Sequence, residues 1–522
     1  MKTFFLAAMV VFPAAAQMFT VAGVVTDALH NSPLERARVF LAGSSGKAQA
    51  LTTAADGRFA FRAPQGNYHL YADRNGWRTQ FGNPEPSVGW SSSVIVGPGQ
   101  DTSHLTLRWY APGSIFGRVA DEQNEPVRDA TIHLIRDTVA GGRRRVVEAG
   151  STETDDRGDY RFGPLPAGSY YIVATGKPWY TGRFVSTVPP GTGGASQPVL
   201  AYPATYYPGA TEAGRATPIT LKSGAEAQVD VLLQTTAAAT VVLRCPGSGA
   251  RNDICPGRVT LDLLSIGGVE ILQNTDFNRL RHSLSGVAPG RYVLRLLGTG
   301  KTAQRVIDVA AGDLSIDLNL KSHLSIAGEV TFKDHPPKAG ASVYVGMVHE
   351  DAGRAYGAAI PPDGKFEFDG LINTRYRPII YGSAGLFIEQ MSVDGAPLKD
   401  GVVDMTDSTA VHIKILASDE TGRVKGLAKR GDQFAPAVLI VLAPQAGSAN
   451  PSDYRGYQTE SDGSFDWPNI PAGDYLLLAI DRLDLEYTNP EVLRPYLPAA
   501  RRVHVPAHGV VEQEVEVSAL PE

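Results

Sequence analysis

The chain has 522 residues, with 48 basic against 54 acidic side chains and a formal charge of −6, so it lacks the basic excess that grips a nucleic-acid backbone. Its length suits several small domains, and 55 glycines with 36 prolines call for many turns. No segment has the length and apolarity expected of a transmembrane helix.

The first stretch, "MKTFFLAAMVVFPAAAQ", reads as a secretory signal over residues 1–16. Lys2 is the charged start, Phe4 to Phe12 the apolar core, and Ala14, Ala15 and Ala16 the small-residue cleavage site. The apolar run is too short to span a bilayer. No Cys follows it, so a lipid-anchored N-terminus is not expected. The mature chain should begin near Gln17 and be exported to periplasm, cell surface or medium.

Next comes a plan that repeats. "VAGVVTDALHNSPLERARVFL" (21–41) is a strand, a polar turn with Pro33, and a second strand. "ADGRFAFRAPQGNYHLYA" (55–72) adds an Asp-Gly hairpin signal, an alternating strand, a tight turn and a strand carrying Tyr68. The loop 73–93 holds Trp77, Phe81 and Trp90, and "HLTLRW" closes the unit with Leu105, Leu107 and Trp109 in alternation.

"SIFGRVADEQNEPVRDATIHLI" (114–135) restarts the plan, with Ala130, Ile132 and Leu134 on one face. Gly117, like Gly23 before it, permits a bulge or close backbone approach. Arg143, Arg144 and Arg145 form the chain's one basic cluster, expected as a solvated hairpin tip. "DDRGDYRFGPLPAGSYYIVA" (155–174) carries Tyr170, and the loop 176–214 holds Trp179, Tyr180, Tyr202, Tyr206 and Tyr207.

The third unit has the only two cysteines, Cys245 and Cys255. In an exported chain they read as a disulfide, two free thiols being the alternative. Its "HSLSGVAPGRYVLRLL" keeps Tyr292 but has lost the Asp-Gly, and "DLSIDLNL" is its alternating last strand. "PDGKFEFDGLINTRYRPIIY" (362–381) and "SDGSFDWPNIPAGDYLLLAI" (461–480) place Tyr376 and Tyr475 in the same register. A short helix is expected at "NPEVLRPYL", with Asn489 as N-cap and Pro490 in the first turn.

The marker tyrosines recur about every 80–120 residues, the length of a whole small domain and not of a solenoid repeat. Five antiparallel β-sandwiches are expected, over 18–111 (module 1), 112–235 (module 2), 236–320 (module 3), 321–416 (module 4) and 417–522 (module 5). Five tyrosines in one register indicate core packing, with the hydroxyl bonded near the sandwich edge. Modules joined by small interfaces are expected to melt separately.

The order Gly-x-Val, Pro…Ala-x-Val/Ile, Asp-Gly-x-Phe, Pro-x-Gly-x-Tyr resembles the carboxypeptidase regulatory-like domain. The resemblance implies a seven-stranded, transthyretin-like (Ig-like) sandwich grouped with carbohydrate-binding-like folds, in an exported bacterial protein. In zinc carboxypeptidases this module is an appendage to a catalytic domain, and no such domain is visible here. None of the eleven histidines has Glu three residues on, as a zinc-peptidase helix requires. "GTGKT" (298–302) lacks the first glycine of a phosphate loop, which is Arg295, and no Gly-x-Ser-x-Gly elbow occurs. "TDDRGDY" (154–160) lacks calcium-loop spacing and reads as a turn.

No catalytic, metal-binding or cofactor-binding residue is therefore expected. What remains is an exported, non-enzymatic binding or scaffold protein of the cell envelope or surface, with an envelope protein or glycan as partner. A carbohydrate-binding array is the alternative, and an accessory module of an envelope enzyme such as a peptidase is a second. The candidate ligand-binding residues are Trp77, Trp90, Trp179 and Tyr180, because long loops on a rigid scaffold tend to carry function. The contrary reading folds these rings back over the sandwich ends.

Overall fold

A computed structural model describes residues 17–43, 48–82, 91–180, 199–246, 255, 257–272, 277–278, 283–298, 301–322, 324–333, 336, 342–350, 355–371, 374–382, 385–398, 400–406, 408 and 410–518. The expected signal segment 1–16 and Trp90 lie outside them.

The regular secondary structure of the described residues is almost all strand. In module 1 the sheet of Met18–Asp27, Arg58–Pro64 and Leu105–Trp109 faces the sheet built on Arg38–Gly43 and Gly66–Arg74. Alternation dictates the pairing: Phe59, Phe61 and Ala63 point inward while Arg58, Ala60 and Arg62 stay in water. Val21, Val39, Leu41, Leu70 and Leu107 meet them to form one core. The same opposition of sheets recurs from Gly113–Ala120, Ala239–Arg244, Leu324–Phe332 and Thr421–Arg430 onward. In module 5 the two sheets join, because Ala479 and Ile480 pair with Val517 and Ser518.

The strands are not all antiparallel. The first strand of each unit lies beside its last strand in parallel, as Gly23 beside Leu105 and Leu427 beside Glu514. The chain leaves the first sheet, builds the second, and crosses back in its starting direction. The first-strand glycines serve this pair: a Cβ on Gly117 would overlap the carbonyl of Val229, and one on Gly426 that of Gln513.

The marker tyrosines hold the turn that precedes them. The hydroxyls of Tyr68, Tyr170, Tyr292 and Tyr475 each donate to the carbonyl four residues back, at Pro64 (3.0 Å), Pro166 (2.7 Å), Ala288 (2.8 Å) and Pro471 (2.8 Å). Tyr170, Tyr292, Tyr376 and Tyr475 are buried and Tyr68 is half-buried. One ring thus fills core volume and satisfies a turn carbonyl that the strand ladder cannot reach.

The expected helix forms over Pro490–Leu493, where the Asn489 side chain accepts the Glu491 N–H at 3.1 Å. A 3₁₀ segment, Arg494–Ala499, continues it. Together with Leu483, Leu485 and Tyr487 they cover the outer face of the Tyr475 sheet, where Leu439, Val441, Leu478 and Ile480 are fully buried.

Cys245 and Cys255 are bonded, and both are buried in the core of module 3. Thiol labelling of the denatured, unreduced protein should find no reactive cysteine. Reduction should destabilise module 3 by about 3 kcal/mol in the chain-entropy account. Two reactive thiols per chain would contradict the pairing.

Candidate functional site

The sequence-nominated aromatics fall into different settings. Trp77 is not in an irregular loop: it opens the strand Trp77–Gln80, paired with Gly66–Arg74, and is half-buried against the module 1 core. Its carbonyl accepts the Trp109 indole N–H at 3.3 Å. The alternation of Trp77 and buried Thr79 with exposed Arg78 and Gln80 was the signal for this strand. Phe81 packs on the same core. Tyr202 and Tyr206 are buried, and burial pushes both phenols up. Trp179 is different: it is 75% exposed and meets the half-buried Tyr180 edge-on at 5.6 Å. The structure thus brings Trp179 and Tyr180 together and places Trp77 in another module.

The arginine hairpin is only partly a solvated tip: Arg144 stays exposed, whereas Gly142 and Arg143 are covered by other modules. Thr131–Ala140 and Arg143–Glu153 are joined by Gly141 and Gly142, both at positive φ, the requirement of a tight two-residue hairpin. Module 5 sits on this turn. Thr488 donates to the Gly142 carbonyl through its N–H (3.2 Å) and hydroxyl (2.8 Å), and a Cβ on Gly142 would stand 2.5 Å from the buried Tyr487 ring.

Beside the turn, the Arg143 guanidinium pairs with Glu350 of module 4. Glu350 also accepts from Arg377 Nε (3.1 Å) and Nη2 (3.0 Å). Arg377 Nη1 goes on to the Asp400 carbonyl (3.0 Å) and to Asn450 Oδ1 of module 5 (2.5 Å). Burial raises the Glu350 pKa, but hydrogen bonds from Arg377 and Arg143 outweigh it and hold the carboxyl below its ordinary value. Arg144 is held by Asp137 at 3.0 Å, and Val146 packs against the module 3 core. Three like charges in sequence suggest repulsion and solvent; the fold brings Glu350 and Asp137 to neutralise two of them. Glu350, Arg377 and Tyr487 were not singled out in the sequence, since nothing local marks them.

Module 1 also meets module 5. Ser461 donates to the Ser93 carbonyl at 3.0 Å, and its hydroxyl accepts the Ile95 N–H at 3.0 Å. Gln100 reaches Asp462 at 3.2 Å, and the Ser92 hydroxyl donates to the Thr459 carbonyl at 2.6 Å. Glu460 takes the Ser93 N–H and the Tyr457 hydroxyl. Ser92, Gln458 and Thr459 are buried here. The Asp-Gly turn of module 5, "SDG", is therefore docked on module 1 and not free in solvent.

A cavity of about 870 Å³ lies between modules 2 and 5, lined among others by Arg136, Arg144, Asp481, Arg482, Asp484 and Glu486. Its charges are largely committed: Arg144 to Asp137, Arg482 to Asp484 at 2.8 Å, and Asp481 to Arg430 at 2.7 Å. Among the described residues no group of three His, Cys, Asp or Glu side chains is placed to hold a metal ion, and no helix is long and apolar enough to cross a membrane.

Residues 20–108 and 114–200, in modules 1 and 2, match the model of the carboxypeptidase regulatory-like domain. No curated protein matches the chain. Among solved structures, the chain is similar to the TIE protein of Bacillus anthracis (8% identity, 97% of this chain and 75% of that one, TM-score 0.18). It is similar also to GBS52, the minor pilin of Streptococcus agalactiae (15% identity, 38% and 98%, TM-score 0.17). A third is BcpA, the major pilin subunit of Bacillus cereus (11% identity, 53% and 98%, TM-score 0.15).

Proposed function

With carboxypeptidase regulatory-like domains at residues 20–108 and 114–200, we propose that this chain is an exported, non-enzymatic scaffold of the cell envelope or surface whose modules are docked on one another to hold binding surfaces in fixed relation. The observation that carries this reading is the docking of module 5 on modules 1, 2 and 4 through named hydrogen bonds. A chain meant only as a flexible tether would leave these faces polar and separate. The polar groups at the junction are spent on one another, as a structural joint requires, and do not converge on an open point as catalytic groups do.

Trp179 gives the scaffold its first candidate contact, because a ring exposed to this degree beside an edge-on partner is ready to be covered. The mature chain should be recovered from the envelope or medium and should sediment with isolated envelope material. Trp179→Ala should weaken that binding by about 2 kcal/mol, close to thirtyfold, with unchanged melting. Recovery of the chain in the cytoplasm, or catalytic turnover by the purified protein, would overturn the reading. A glycan among the envelope ligands remains the second reading, favoured by the same exposed ring.

A further inference from the structure

Tyr344 and Tyr381 stand directly opposite each other on Val343–His349 and Arg375–Gly382 of module 4. Their rings are parallel within 16°, with centroids 5.3 Å apart, and are 36% and 45% exposed. Tyr381 lies down across two glycines. A Cβ on Gly346 would stand 3.1 Å from its ring, and one on Gly357 would overlap its hydroxyl. A side chain at Gly357 would displace the Tyr381 hydroxyl, and one at Gly346 would crowd both the ring and Ile379.

Counting from the marker tyrosines, Tyr344 and Tyr381 occupy the places of Leu439 and Ile480 in module 5, which pair in the same way. There the two side chains are fully buried under residues 483–496. In module 2 the counterpart pair is Thr131 and Thr175, and farther along the same face Ile135 and Val173 are buried against module 3. Leu439 and Ile480 in module 5 and Ile135 and Val173 in module 2, all fully buried on these covered faces, are aliphatic. In module 1 the ring pair Phe40–Tyr71 is capped on both sides by Arg38 and Arg78. In module 4 neither cover nor cap is present among the described residues, and the rings carry hydroxyls.

Two residues before Tyr381, on the same face, Ile379 lines a cleft of about 470 Å³ between modules 4 and 5. Asp453, Arg455 and Asp474 line it, so both charge signs are present. We infer that the tyrosine pair and this cleft form a binding site for a neutral, equatorially substituted glycan chain. A pyranose has the matching character: an apolar C–H face for the flat rings and a hydroxyl rim for the phenols, carboxylates and guanidinium. A sandwich partner would call for the aliphatic face seen in module 5, and a strongly charged ligand for one sign of charge. The inference does not depend on export or on Trp179.

The test is calorimetric titration of the mature chain with cellohexaose and with chitohexaose, followed also by tyrosine fluorescence. At least one should bind and perturb the fluorescence. Tyr344→Ala with Tyr381→Ala should weaken binding at least tenfold while the melting temperature holds. Absence of binding to both sugars, or unaltered affinity in the double variant, would overturn the site. A double variant that alters only self-association would assign the face to a second copy of the chain and equally overturn it.

Discussion

Tyr475→Ala should destabilise the protein by about 3–5 kcal/mol, the range for removing a large buried ring that leaves a cavity. The ring packs with Val424, Phe465 and Leu477 in the module 5 core, and its hydroxyl holds the Pro471 carbonyl. Tyr475→Phe separates the two contributions and should cost about 1 kcal/mol, the scale of one hydrogen bond. Module 5 is docked on modules 1, 2 and 4, so the separate melting expected from the sequence gives way to a coupled one. Calorimetry should show the main transition moving down in Tyr475→Ala, with no detached low-temperature peak. An unchanged profile would mean that the ring contributes nothing to the core, and a small isolated peak that the docking contacts do not couple the modules.

The sandwich plan was legible because its signals are local. Asp-Gly turns, period-two strands and the Tyr four residues after a turn carbonyl each fit within a window of about ten residues. The N-cap at Asn489 and the cysteine pair were legible for the same reason. The parallel pairing of first and last strands was not, since it depends on where the chain returns after building a second sheet. The joint was hidden too: Arg143 and Glu350 are 207 residues apart, and nothing near either names the other. A run of arginines looks solvated until its counter-charges are placed. Trp77 was misplaced because one tryptophan among polar residues looks like a loop, although Thr79 two residues later repeats its inward direction. Tyr344 and Tyr381 were hidden as well, because 37 residues separate them and only strand pairing stacks the rings.

Glu350→Ala should cost about 3 kcal/mol, because it leaves the buried Arg377 guanidinium with only the Asp400 carbonyl and the Asn450 amide oxygen. Arg143→Ala should cost less, about 1 kcal/mol, since Glu350 keeps Arg377 and the lost arginine is nearer solvent. Acid should erase the difference between wild type and Glu350→Ala. The folded pKa of Glu350 is depressed, so its contribution is complete above the ordinary glutamate value and is lost as pH falls through the lower folded one. The gap between their urea midpoints should be full near neutrality and shrink below pH about 4. Other carboxylates also titrate there, but they do so in both proteins and cancel in the comparison. The distance between labels on modules 2 and 4 should lengthen over the same pH range, because Glu350 ties the arginine hairpin to the module 4 sheet. A gap that stays constant from neutrality into acid would show that the carboxylate is not what joins these modules. Equal losses in Glu350→Ala and Arg143→Ala would show instead that the stability resides in Arg143, with Arg377 carried by its other partners.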